Sequence, residues 1–240
     1  MSKNTRSRNI SKLIILALVL FVPGFLYIMV NQMGSNEYVK LPVFGKKELS
    51  GKMNRVMGRE IPDTIFHVVK PFDFINFDGK PNQFLSTDTV ISVVHLFYAK
   101  DDGLSKQLLY DMNTIAERFK ENYKIRLYSL SVDSTDQSSD LLEKIADYRE
   151  GMNPHWYLGH HLSVDIFDYA RHNLLIEAMP DQSNPHKFII SNQFVLIDSK
   201  GRIRGFYDVG LRSEVDRLED EIKVQVVEEI RNSPLKIEKK

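Results

Sequence analysis

The sequence predicts an α/β sandwich carried behind a single apolar helix. Three observations predict it. Residues 13–30 are uncharged and mostly apolar. Residues 89–98 and 124–132 are β-branched and aromatic in near-continuous runs, as strands buried on both faces are. Amphipathic helical patterns lie between these runs and after them.

The apolar run comes first in the chain. About 18 residues at 1.5 Å each make roughly 27 Å of helix, enough for a bilayer core. Lys3, Arg6, Arg8 and Lys12 precede it. Positive charge ahead of the span favours an inside N-terminus, so the remainder of the chain is expected on the outer, periplasmic side of the cytoplasmic membrane. No Ala-x-Ala cleavage site lies beyond the run and there is no cysteine for lipid attachment. The expected organisation is a cytoplasmic basic tail over 1–12, a transmembrane signal-anchor over 13–31 and a stalk over 32–60. A globular domain over 61–232 and a charged tail over 233–240 complete it. The stalk is interrupted by Gly34, Pro42, Gly45, Gly51 and Gly58. Its basic residues Lys46, Lys47, Lys52, Arg55 and Arg59 read as a solvated linker, with lipid headgroups as the alternative contact.

Within the domain, residues 72–77 alternate apolar and polar and meet the turn signal Asp78-Gly79, so a β-hairpin opens it. Its Phe72, Phe74 and Phe77 read as strand packing. A central strand over 89–98 is next, then a helix over 105–119 with Leu108, Leu109, Met112, Ile115, Ala116 and Phe119 on one face. Residues 124–132 form the next strand. A helix over 138–149 presents Leu141, Leu142, Ile145 and Tyr148, and a third covers 163–173. A strand over 188–198, a turn at 199–201, a strand over 202–207 and a helix over 214–230 end the domain. Strands joined by crossover helices and closed by a hairpin give a three-layer sandwich of the thioredoxin-like plan.

Composition narrows the chemistry. The 32 basic and 32 acidic residues balance, which gives no basic footprint for nucleic acid. The absence of cysteine excludes disulfides, thiolate metal sites and every thiol mechanism. Asp101-Asp102 read as caps of the adjoining helix, since no nucleophile or base accompanies them. His95, inside the central strand, reads as a satisfied core histidine. Asp133 and Asp136 read as turn and helix-start residues, and Arg202 and Arg204 as solvated hairpin residues. The remaining histidines, His67, His155, His160, His161, His172 and His186, include four, at 155, 160, 161 and 186, that read as exposed or hydrogen-bonded loop residues; the alternative is a metal site built from His186, one of His155, His160 and His161, and Asp101.

An ordered set of segments resembles the SCO/SenC family of membrane-anchored, thioredoxin-like proteins. They are Phe74-Ile-Asn-Phe-Asp-Gly-Lys80, Val94-His-Leu-Phe-Tyr98, Ser129-Leu-Ser-Val-Asp133 with Asp136, Trp156-Tyr-Leu-Gly159, Phe194-Val-Leu-Ile-Asp198 and Gly201-Arg-Ile-Arg-Gly-Phe-Tyr-Asp208. Ser134 stands where the family has proline. The resemblance implies a role in copper delivery to, or thiol reduction at, cytochrome c oxidase, with two cysteines of a Cys-x-x-x-Cys loop and one histidine as Cu(I) ligands. Those positions here are Asp101, Ser105 and Ile190. Soft Cu(I) wants sulfur and imidazole, and none of the three supplies either. The expectation is a degenerate site with no cofactor. The chain would then be a non-enzymatic binding or scaffolding factor, with respiratory oxidase subunits or a cysteine-containing family member as partners. The alternative is a metal-binding protein that uses the relocated histidines.

Overall fold

A computed structural model describes residues 3–33, 40–56, 59–86, 90–161, 164–184 and 187–232. The chain divides into two units, Met1–Val39 and Lys40–Lys240. The first contains helix α1, Lys3–Met33. Its described large apolar side chains from Ile15 to Met29 are exposed all round the helix. Among the described residues, no helix is long and apolar enough to cross a membrane. The span expected over 13–31 runs beyond the described side chains at both ends.

The second unit is built on a seven-stranded sheet. Its strands are β3 (Phe72–Asn76), β4 (Pro81–Phe84), β5 (Ile91–Phe97), β6 (Ile125–Ser131), β7 (Trp156–His161), β10 (Gln193–Ile197) and β11 (Ile203–Asp208), in the order β11-β10-β5-β6-β7-β3-β4. β5, β6 and β7 are parallel, and the hairpins β3–β4 and β10–β11 flank them antiparallel. The parallel strands lie at the centre because their side chains are apolar on both faces; every residue of β5 is buried.

Alternate residues feed two cores. On one face Val93, Phe97, Leu127, Trp156, Leu158 and Phe194 meet α2 (Leu104–Arg118), α3 (Ser138–Lys144) and α5 (Arg212–Asn232). On the other, Val94, Leu96, Tyr128, Leu130 and Val195 meet α4 (Ile166–Tyr169) and the π-helical turn Ala170–Leu174 that continues it. This is the three-layer α/β sandwich that the order of elements predicts. Gly159 lets β3 approach β7 closely, for a Cβ there would lie 2.2 Å from the Ile75 carbonyl oxygen. Gly79, at φ +78°, makes the β3–β4 turn.

Several elements differ from expectation. The segment 47–66 forms a separate hairpin, β1 (Lys47–Val56) with β2 (Arg59–Phe66), although its glycines predict no regular element. The helix expected over 138–149 stops at Lys144, where Ile145 caps it and continues into turns. The strand expected over 188–198 is two strands. β9 (Phe188–Ile190) pairs with β8 (Ala178–Pro180), and only β10 joins the main sheet. Residues 162–163, the second of which begins the expected third helix, lie outside the described residues.

Arg204 is not solvated. It is 2% exposed, and Nη1 donates to Asp198 and Glu228 while Nη2 donates to Glu228 and to the Leu41 carbonyl oxygen. The segment around Leu41 and helix α5 cover the face that the hairpin would otherwise turn to water. Phe44 continues that cover: its N–H donates to the Ile203 carbonyl oxygen, and its ring meets Phe206 edge-on at 5.2 Å. Arg202, by contrast, is partly exposed and pairs with Asp198 at 2.7 Å.

Candidate functional site

The carboxyl ends of parallel strands are where such sheets place their chemistry, because the loops to the crossover helices gather there. Here β5 runs out through Tyr98 and Ala99 into a turn closed by the Asp101 N–H on the Tyr98 carbonyl oxygen. Helix α2 starts immediately after. Gly103 at its N-cap has no side chain to offer, and Asp101 takes over that task. Its two carboxylate oxygens accept from the Gly103 N–H at 2.9 Å and the Ser105 N–H at 2.7 Å. Ser105 is fully buried, and its hydroxyl oxygen accepts from the Tyr98 N–H at 3.2 Å. Asp102 is exposed and pairs with Lys144 of α3, which holds its carboxyl below the usual carboxylate range.

Ile190 is half-buried on β9 and packs against both cores. Two residues earlier, Phe188 meets Tyr98 edge-on at 5.2 Å and stacks with Phe167 at 5.8 Å. These rings cover the end of β5. Burial there pushes the Tyr98 hydroxyl above its ordinary range, and the charges of Asp101 and Asp181 act in the same direction. Asp101 and Ser105 are thus committed to backbone donors, and Ile190 belongs to the apolar packing.

A second carboxylate lies under the same loop. Asp136, 1% exposed, accepts on Oδ2 from the Ala99 N–H at 2.8 Å and the Ser131 hydroxyl at 2.6 Å, while its buried Oδ1 has no partner. Burial pushes its carboxyl above the usual range against those two hydrogen bonds. The reading of Asp136 as a helix-start residue is corrected: α3 begins with Gln137 as its N-cap, and Asp136 braces the ends of β5 and β6. Asp133 differs. Burial works against its charge, but the Thr135 hydroxyl and N–H and the Lys100 ammonium outweigh that and hold it below the usual range.

The histidines do not converge. His155 precedes β7, and His160 and His161 end it, so about five residues at roughly 3.3 Å separate them along the strand. His160 and His161 are consecutive and point to opposite faces; they lie opposite Ile75 and Phe74 of β3. Both ring nitrogens of His161 are buried without a partner, and burial lowers its pKa. His186 lies outside the described residues. His67 bonds the Asn173 carbonyl oxygen, and exposed His172 pairs with Asp168. His95 is in the core. Its Nε2 lies 2.6 Å from the Ser129 hydroxyl, which also accepts from the Trp156 indole N–H at 2.9 Å. Burial lowers its pKa to about 3, so the ring is neutral. Among the described residues, no three histidine, aspartate or glutamate side chains are grouped to hold a metal ion.

Solved structures supply the comparison. A SCO1/SenC family lipoprotein from Bacillus anthracis str. Ames superposes with a TM-score of 0.59 at 20% identity, over 67% of this chain and 95% of that one. The chain has the fold of the SCO/SenC proteins. BsSco, described as a member of the Sco family of cytochrome c oxidase assembly proteins, gives a TM-score of 0.57 at 20% identity, over 67% and 94% of the two chains. Copper-bound ScoI of Arabidopsis thaliana gives 0.52 at 20% identity, over 69% and 99%. No family profile and no curated protein sequence matches the chain. In this chain the end of β5 and the start of α2 are joined by the short loop 98–103. What occupies them is a set of backbone bonds with no sulfur.

Sequence reasoning places Asp101 and Asp102 as helix caps and His95 as a core histidine; Asp101 and His95 stand there, whereas Asp102 reaches instead to Lys144 of α3. It misses the burial of Asp136 and Arg204. Asp136 carries one signal, its position five residues after Ser131 at the end of a buried strand.

Proposed function

We propose that this chain is a divergent SCO/SenC-type protein, anchored in the cytoplasmic membrane by residues 13–31 with its domain on the outer side. It acts without catalysis, as a binding or scaffolding factor in respiratory cytochrome oxidase assembly, and it has lost the family's copper and thiol site. The observation that carries this reading is the commitment of Asp101 and Ser105 to the N–H groups of Gly103, Ser105 and Tyr98. Both oxygens of one side chain and the hydroxyl of the other serve the loop itself. The third family position, Ile190, has no donor atom to contribute.

The anchor is supported by α1, whose exposed apolar side chains encircle the helix; a helix apolar all round needs lipid or a protein core around it. The assembly role rests on the fold shared with BsSco and the other SCO proteins. The test is affinity capture of the tagged full chain from detergent-solubilised membranes. Recovery of oxidase subunits, or of a cysteine-containing relative, is the expected result. A chain that fractionates away from membranes, or that captures neither partner, contradicts the reading.

A further inference from the structure

The β1–β2 hairpin is an arm that meets the sandwich at its base, where the Arg202 guanidinium lies 5.8 Å from the Phe66 ring centre, while Leu49 and Met53 farther along the same face stay exposed. Its strands pair with each other and with no other strand, and no described side chain between Lys47 and Phe66 enters either core. A two-stranded hairpin alone is marginally stable in water. A surface that buried the exposed face of this one would stabilise it.

The composition of that face says which. Leu49 and Met53 share a face, since both pair with β2 residues of that side, Thr64 and Pro62, and the irregularity between them takes up the residues in between. They are 72% and 65% exposed. Lys47 lies on the same face, its ammonium 6.0 Å from the Phe66 ring centre, and Lys52 lies in the irregular stretch. No carboxylate pairs with either lysine among the described residues, whereas Lys46 is held by Glu48. Exposed aliphatic side chains bordered by ammonium groups without a carboxylate partner suit the boundary between lipid headgroups and acyl chains.

The covalent path favours the same surface. Arg204 clamps the chain at Leu41, only positions 34–40 separate that clamp from the end of α1, and Lys47 comes soon after. Fully extended, such a stretch reaches about 25–30 Å. We infer that the β1–β2 arm docks on an anionic phospholipid surface through Leu49, Met53, Lys47 and Lys52. The inference rests on the proposed anchor.

The absence of cysteine makes the test clean, because each introduced thiol is unique. Full-length L20C, L49C, M53C and Y123C chains would carry a polarity-sensitive fluorophore. Each would be reconstituted in nanodiscs of phosphatidylglycerol and phosphatidylcholine in equal parts, with and without a lipid-borne quencher. Leu20 reports the anchor, and exposed Tyr123 reports a surface outside the arm. Quenching at 20, 49 and 53 but not at 123 is the expected result. In the M53C background, K47Q/K52Q should shift the docked fraction by on the order of tenfold, and pure phosphatidylcholine should do the same. Quenching at 20 without quenching at 49 and 53 overturns the docking and leaves the anchor standing. No quenching at 20 overturns both. Shielding at 49 and 53 that grows with protein concentration in the absence of lipid identifies a second copy as the occupant, and overturns the inference.

Discussion

Asp101→Ala removes a side chain at a position that the SCO/SenC resemblance assigns to a metal ligand, and its effect separates a structural role from a chemical one. The carboxylate accepts from two N–H groups at the start of α2. Loss of a helix cap costs about 1–2 kcal/mol, and the lost anion at the helix N-terminus adds about 0.3–1 kcal/mol. A total of about 2 kcal/mol is expected. With an m-value of about 2 kcal/mol/M in urea, the midpoint should fall by about 1 M. Ser105→Ala strands the buried Tyr98 N–H, a loss of about 1–3 kcal/mol, and should give a shift of similar size. The only tryptophan, Trp156, is 2% exposed and bonded to Ser129, so its fluorescence reports unfolding of the core directly. Asp101→Asn keeps one acceptor and should fall between wild type and Ala. A midpoint unchanged in both D101A and S105A would refute the argument, since it would show that neither side chain is engaged in the loop.

Two further perturbations test the surrounding network. The Asp136 carboxyl holds its proton more tightly folded than unfolded, so its contribution to stability is fully present below the ordinary carboxylate pKa of about 4 and is lost as pH rises through the raised value. Asp136→Asn should flatten that part of the stability–pH curve, measured by urea titration across acidic pH; an unchanged slope would contradict the burial of this group. Arg204→Ala leaves Glu228 buried without its counter-charge and Asp198 with Arg202 alone, and should cost about 3–5 kcal/mol by the same unfolding assay. R204A/E228A should recover part of that loss, and a cost below about 1 kcal/mol for R204A would mean the cluster is solvated.

How much of the fold is legible in the sequence depends on what each segment must bury. β5 and α2 lie within a residue or two of their expected bounds because apolar periodicity and burial agree there. α5 extends two residues beyond the expected range at each end. The hairpin β1–β2 carries no such signal, since it contributes nothing to either core and its pattern is broken between Leu49 and Met53. The division of 188–198 is invisible for a different reason. Both halves are apolar, and only the pairing of β9 with β8 shows that the chain leaves the main sheet at Ser191 and Asn192. Trp156–His161 is a strand that no sequence signal assigns: its two histidines and Gly159 hide a β-pattern that β6 and β3 stabilise from either side. Arg204 shows the limit of composition most plainly. An arginine in a hairpin reads as solvated until the segment at Leu41 and helix α5 are seen to cover it.

The residues at the end of β5 have local jobs, and Asp101 has the capping one expected of it from sequence. Whether those jobs are all that remains of the site is settled by anaerobic Cu(I) titration of the full chain beside D101C/S105C/I190H, with a competing chelator to fix the affinity. The account predicts that the triple variant takes up one equivalent tightly while the native chain takes up none. Tight one-equivalent binding by the native chain would contradict it.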